Sequence, residues 1–340
     1  MVSLLYLINF ENHSVLQKKE NHMHRLIRAQ NYLEGILTNN HSGSSNHFSK
    51  AVGTDLELGQ ITGKYQDCHY EKALLGFGMH FDGFLHVSLD EAVICHNSSC
   101  QNWAARIAAY FQIGSQYVSV VRVPRARAFY STSTEKAMKI AHQNLALRNS
   151  YGTLGGYLYP KYEGDSFRIF SNNHVLADSN GGLRGDTVYS MENAKYRIGQ
   201  LENFQPLYSD IPNYLDLAVA KLEGYYPTKH PVPCQTRAIQ KQEVVMKFGA
   251  TSGVTTGKVV SNSYRITIEY NGTPVLFKDQ LVIVSTTPGQ SFSQGGDSGS
   301  MIRATHDNSF AGLLFAGNKF QTFANPGMLV VQKLKEWRYL

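Results

Sequence analysis

The sequence predicts a mainly β protein of two domains. A small α/β (α+β) domain occupies residues 1–140, and a larger β domain occupies 141–340 and closes with a C-terminal helix. Three observations carry this reading. Beyond Asn149 the chain becomes a series of short apolar runs separated by turn residues, the pattern of an all-β barrel or sandwich. The first 140 residues instead mix helical and strand-like patterns. The composition of the 340 residues includes 29 Gly, 20 Tyr and 17 Phe. That balance favours strands and tight turns over helix bundles, and 42% hydrophobic against 17% charged residues argues against disorder.

In chain order, Met1 to Phe10 is a short apolar run that reads as a strand. It has no positive n-region and no small-residue cleavage site, so it does not read as a signal peptide. Residues 14–37 read as a helix with Ser14 as its cap and a loose apolar period. Thr38 to Ser49 is a polar loop or linker. Ala73 to Phe81 and Phe84 to Leu89 are strand-like runs joined by Asp82-Gly83, a hairpin signal. A helix is expected over Cys100 to Phe111, a strand over Tyr117 to Val123, and a helix over Glu135 to Leu147. The strand-like runs that follow are Thr153 to Tyr159, Phe167 to Ser171, Leu217 to Leu222, Val244 to Phe248, Arg265 to Tyr270, Leu281 to Ser285 and Gly312 to Ala316. Val330, Val331, Leu334 and Trp337 then give the tail Met328 to Leu340 a helical face.

Charge and cysteine usage narrow the function classes. Lys and Arg number 32 and Asp and Glu 26, a formal net charge of +6. The one basic cluster, Arg122, Arg125 and Arg127, adjoins an apolar run, so the excess reads as a basic surface and no nucleic-acid partner is expected. No segment reaches the roughly 18 consecutive apolar residues of a membrane span, and no membrane partner is expected. Cys68, Cys95, Cys100 and Cys234 lack the close pairing of a zinc site. One Cys95–Cys100 disulfide is an option, but reduced thiols are the default for the cytoplasmic location expected of this chain. No metal and no cofactor are implied.

The chemistry is concentrated in Ser293-Gln294-Gly295-Gly296-Asp297-Ser298-Gly299-Ser300. It offers a hydroxyl nucleophile, Ser298, on a glycine-rich backbone that can turn sharply and present bare N–H groups. Acyl transfer needs a nucleophile and donors aimed at a developing oxyanion. The same residue types also make ordinary turns, so a base and an orienting acid are required. His174 follows the strand-like run Phe167 to Ser171, where a side chain can face a cleft on a rigid backbone. Asp216 opens the otherwise apolar run ending at Leu222. A carboxylate buried there needs a hydrogen-bonding partner, and an imidazole N–H is a suitable one. Asp178 and Asp210 compete for that role from polar, loop-like surroundings.

The order His174, Asp216, Ser298 in these local sequences resembles chymotrypsin-like (trypsin-fold) serine peptidases. Within them it resembles the intracellular branch of HtrA-like and plant NARROW LEAF-type proteins. The resemblance rests on Gly152-Thr153-Leu154-Gly155-Gly156, Ser171-Asn172-Asn173-His174-Val175-Leu176, Gly249 to Gly257, and Gly295 to Ser300. Leu313 to Gly317 and Ala324-Asn325-Pro326 extend it, so that it covers about residues 150–340.

The resemblance implies a double β-barrel protease domain with the site between the barrels. Ser298 is then the nucleophile, His174 the general base and Asp216 its orienter. The N–H groups of Gly296 and Ser298 form the oxyanion hole, each such donor being worth about 3–4 kcal/mol in the transition state. Phe292, Phe315 and Gly317 fall at the specificity pocket by motif position. No acidic residue accompanies them, so an apolar or small residue is expected before the scissile bond. No Ile-Val-Gly-Gly-like activation site precedes the barrel, so Asp297 needs a partner other than a newly cut N-terminus. Control is expected from the N-terminal domain or a regulatory protein partner, and a homo-oligomer is compatible with the branch. The competing reading is a catalytically inactive trypsin-fold scaffold that binds proteins; an esterase is a further one.

Overall fold

The computed structural model describes residues 23–35, 74–79, 84–90, 107–109, 111–123, 127–128, 137–160, 162, 165–192, 195–223, 235–240 and 242–340. The expectations for the four cysteines, the N-terminal strand, the Thr38 to Ser49 loop and the Asp82-Gly83 turn lie outside the described residues, as do both ends of the 14–37 helix. Two compact units divide the chain. One comprises Met1–Gly78 and Gly83–Arg122, the other Met79–Asp82 and Val123–Leu340.

In the first unit, helix α1 spans residues 23–35 and buries Leu26, Ala29 and Leu33, spaced three and four residues apart along one face. Strands β1 (Leu74–Met79), β2 (Leu85–Asp90) and β3 (Val118–Val123) are neighbours in that order. Leu85, Val87 and Leu89 are all fully buried, the period of two that puts alternate residues of a strand on one face.

The second unit holds two curled sheets and few helices. It begins with the two-residue strand β4 (Arg127–Ala128). The first sheet is built from β5 (Lys139–His142), β6 (Gly152–Thr153), β7 (Gly156–Leu158), β8 (Arg168–Ser171), β9 (Thr187–Ser190), β10 (Tyr196–Phe204) and β11 (Ala218–Leu222). Its order is β6-β5-β9-β10-β11-β8-β7. The two outer strands, β6 and β7, are separated by only Leu154 and Gly155 in the chain, so the sheet must curl until its ends nearly meet. Ile140, Ile169, Val188, Ile198, Ala218 and Ala220 fill its inside.

The second sheet is a ring. It contains β12 (Val244–Gly249), β13 (Gly253–Tyr270), β14 (Thr273–Ser285), β15 (Met301–Ala304), β16 (Phe310–Gly317) and β17 (Thr322–Pro326). The order β12-β15-β16-β17-β14-β13 is closed by direct pairing of β12 with β13, which removes the open edges within the ring. β13 and β14 form a long hairpin turned by Asn271 and Gly272, whose φ values of 50° and 83° are those of an Asn-Gly hairpin turn. Val245, Val259, Ile283, Ile302 and Leu314 form one core cluster of the ring, and Tyr264, Ile266, Phe277 and Phe323 form another.

A third cluster joins the two sheets. Phe170 and Val219 from the first meet Phe310 and Leu313 from the second, under Val330, Val331 and Leu334 of the final helix, α4 (Gly327–Glu336). Burying each of those three helix side chains contributes about 1.5–3 kcal/mol. Helix α4 therefore helps hold the two sheets together.

The helix expected over Glu135 to Leu147 needs correction. Lys139–His142 is strand β5, and among the described residues of that run only Gln143–Leu147, helix α2, is helical. β5 pairs with β6 on one side and β9 on the other. His142 is fully buried, accepts the Asn144 N–H at Nδ1 (3.3 Å) and reaches Asp186 Oδ2 through Nε2 (3.0 Å). The neutral ring is thereby fixed with its proton on Nε2. Two ladders of backbone hydrogen bonds outweigh the local helical pattern.

Candidate active site

Strand β8 ends at Ser171, and the chain turns through Asn172 into helix α3 (Asn173–Leu176), which carries His174. The turn is anchored on both sides. Asn172 Nδ2 donates to the Asp216 carbonyl (2.8 Å), and Asn173 Nδ2 donates to the Gln205 carbonyl (2.7 Å). Asn173 and Asn180 exchange two further hydrogen bonds. That exchange spans a run in which Asp178, Ser179 and Asn180 all have φ between 47° and 75°. Three consecutive left-handed residues cost of order 1–2 kcal/mol each, so this corner of the site is held by tertiary bonds against its local preference.

Asp216 lies just before β11 and is fully buried, as is His174. His174 Nδ1 is 2.6 Å from Asp216 Oδ2, and the His174 backbone N–H donates to Asp216 Oδ1 (3.2 Å). Tyr270 Oη donates to Oδ2 as well (2.8 Å), and Asn325 Oδ1 accepts the Asp216 N–H (2.9 Å). An ionised carboxylate only accepts. The proton of a neutral His174 is therefore on Nδ1, which leaves Nε2 as the basic nitrogen. The competing acids are elsewhere: Asp178 pairs with Arg148 (2.5 Å) and Asp210 is on an exposed bend.

Ser298 sits in the loop between β14 and β15 and is fully buried. The loop is docked on the first sheet. The Thr153 N–H donates to the Ser298 carbonyl (2.7 Å), Thr153 Oγ1 to the Gly296 carbonyl (2.7 Å), and Ser171 Oγ to the Thr153 carbonyl (2.8 Å). Ser171 is thus one bond from the strand that supports Ser298 and three residues from His174. Gly296 and Gly299 have φ of 92° and 95°. Among the described residues, the N–H groups of Gly296 and Ser298 have no acceptor. Uncommitted backbone donors of this kind are what an anionic oxygen requires. Ser298 Oγ itself donates to the Phe315 carbonyl (3.2 Å).

The three pocket residues are placed as follows. The Phe292 ring lies in the core cluster around Val245 and Ile283, and its carbonyl accepts Thr255 Oγ1 (2.7 Å). The Phe315 ring lies 4.8 Å from Phe277 between centroids. Its carbonyl is the part that reaches Ser298. Gly317 is buried at the end of β16. Sequence reasoning missed Tyr270 as a partner of Asp216. The signal available was its place immediately before Asn271-Gly272, which fixes the end of a strand. Among the described residues, no group of three His, Cys, Asp or Glu side chains could hold a metal ion, and no helix is long and apolar enough to cross a membrane.

No protein-family model and no curated protein sequence matches the chain. Among solved structures it is similar to a glutamic acid-specific serine protease that uses a histidine triad in substrate binding, at 15% identity over 58% of this chain and 95% of that one, with a TM-score of 0.40. It is similar to the Nocardiopsis protease NAPase at 15% identity over 59% and 95%, with a TM-score of 0.41. It is also similar to Deg5 at 17% identity over 59% and 88%, with a TM-score of 0.37.

Proposed function

We propose that this chain is a serine endopeptidase that cleaves proteins or peptides through an acyl-enzyme intermediate. The observation that carries the reading is the buried His174–Asp216 pair at 2.6 Å, together with a loop in which the Gly296 and Ser298 N–H groups have no acceptor among the described residues. In the proposed reaction Ser298 Oγ leaves the Phe315 carbonyl, passes its proton to His174 Nε2 and attacks the scissile carbonyl carbon. Asp216 stabilises the imidazolium that forms and keeps the ring in its productive tautomer. The new C–O⁻ is received by the Gly296 and Ser298 N–H groups. His174 then gives the proton to the leaving amine, and water repeats the sequence to release the acyl group.

One observation favours a second reading. The Ser298 hydroxyl is committed to the Phe315 carbonyl, an arrangement that also suits a trypsin-fold scaffold without turnover. A fluorophosphonate probe separates the two. Covalent labelling of the full chain that disappears in Ser298→Ala is the result expected of the peptidase. Absence of labelling in the wild type over hours at saturating probe would leave the scaffold.

A further inference from the structure

A cavity of about 440 Å³ opens between the two sheets of the second unit, and none of His174, Asp216 and Ser298 lines it. Pockets for small ligands typically span roughly 300–1,000 Å³. The walls are mostly apolar, with Met138 and Leu154 on the side of the first sheet and Met246, Phe248 and Met301 on the side of the second. Methionine side chains adapt their shape to what they enclose. Gly156 leaves the space open, since a Cβ there would lie 2.8 Å from Met301 Cε and 2.7 Å from Phe170 Cε1.

Two cations share this wall, and only one of them is compensated. Lys247 Nζ is 3.1 Å from Asp297 Oδ2. Arg303, on β15, is half-buried and has no carboxylate partner among the described residues. Its one bond runs from Nη1 to Asn308 Oδ1 (3.3 Å), which leaves most of its five N–H donors uncommitted. Asp307, next to Asn308 in the β15–β16 turn, is held by Arg237 (2.7 Å). Burial lowers the Arg303 pKa with no acid to offset it, whereas the carboxylates beside Arg168 and Arg237 raise theirs. A guanidinium partly removed from water is best matched by a planar, two-oxygen anion.

We infer that this cavity binds a small apolar carboxylate. The tail fills the methionine-lined space, and the carboxylate takes the Arg303 guanidinium as a forked pair while Asn308 holds Nη1 in place. A tail alone would leave the cation uncompensated, and a bare carboxylate would leave the apolar wall in water, so both halves of the molecule are required. The inference does not depend on the peptidase reading.

The test is isothermal titration calorimetry of the full chain with octanoate, 1-octanol and acetate. Octanoate is expected to bind one to one, and each of the others at least about tenfold more weakly, the loss of a hydrogen bond to a charged group or of the buried chain. Arg303→Met keeps an unbranched apolar stem and removes the charge. It should weaken octanoate about 10- to 100-fold and leave 1-octanol within about threefold. Met246→Trp, which fills the cavity from β12, should abolish binding of both. Octanoate affinity unchanged in Arg303→Met, or unchanged in Met246→Trp, would overturn the inference. So would a wild type that binds octanoate no better than acetate. Should Arg303→Met not fold, the wild-type comparison decides the same point, because equal affinity for octanoate and 1-octanol would mean that the guanidinium takes no part.

Discussion

Asp216 distributes its bonds unevenly. Oδ1 takes one backbone N–H, while Oδ2 takes both the His174 imidazole and the Tyr270 hydroxyl. Asp216→Asn replaces one acceptor oxygen by a donor and forces His174 toward the wrong tautomer, so kcat on a cleavable peptide should fall about 10⁴-fold, with the half-saturating concentration little changed. Tyr270→Phe keeps the tautomer and loses a hydrogen bond to a charged group, so it should cost about 1.5–3 kcal/mol of stability with a much smaller loss of kcat. Equal losses of kcat in the two variants would contradict this division. His174, Asp216 and Ser298 were readable as candidates because each stands at a local break in pattern: a strand end, a lone carboxylate in an apolar run, a serine among glycines. Tyr270 was not, because it reaches Asp216 from 54 residues away and only the long β13–β14 hairpin brings it there. Asn325 arrives by the same kind of long-range pairing, 109 residues from Asp216.

Among the elements, turns and sharply apolar strands could be read and mixed ones could not. β11 and β16 are nearly continuous apolar runs, and α4 has a clear helical face. β10 (Tyr196–Phe204) escaped because its alternation is interrupted by register shifts against both neighbours. β5 escaped because Ala137, Ala141 and Leu145 happen to repeat every four residues, the helical period. The loop bearing Ser298 tests how tightly elements are fitted. Gly299 has φ of 95°, and a Cβ there would fall 2.1 Å from Ser171 Oγ and 2.2 Å from the Thr153 carbonyl. Gly299→Ala thus combines a disfavoured backbone with a clash against the strand that supports the loop. A loss of about 3 kcal/mol or more is expected, seen as a lowered urea midpoint together with lost probe labelling. A midpoint within experimental error of wild type would mean that the loop does not dock on β6 and β8 as described.

For the whole molecule, acid is the condition that should unfold it. The sequence shows 32 basic against 26 acidic side chains, but not which carboxylates the fold holds ionised, because their partners are distant in the chain. Arg237 spans Glu243 and Asp307, the latter 70 residues away. This bonding lowers the pKa of both carboxyls. Arg168 does the same for Asp165. At Asp186 burial works against ionisation, yet the Leu183 N–H and His142 outweigh it, and its pKa is also lowered. Groups whose folded pKa lies below the unfolded value contribute stability above the unfolded range of about 3.9–4.3, and lose it as pH falls through the folded values. In that window the unfolded chain binds more protons than the folded one, so stability must rise with pH. As the acids are neutralised the net charge also climbs from +6, and self-repulsion adds to the loss. The melting temperature should therefore be nearly level above about pH 5 and fall progressively below about pH 4. Arg237→Met, which releases Glu243 and Asp307 together, should lower the plateau and flatten the acid slope. A melting temperature as high at pH 3 as at pH 6, or an unchanged slope in Arg237→Met, would show that these pairs do not govern the acid limit.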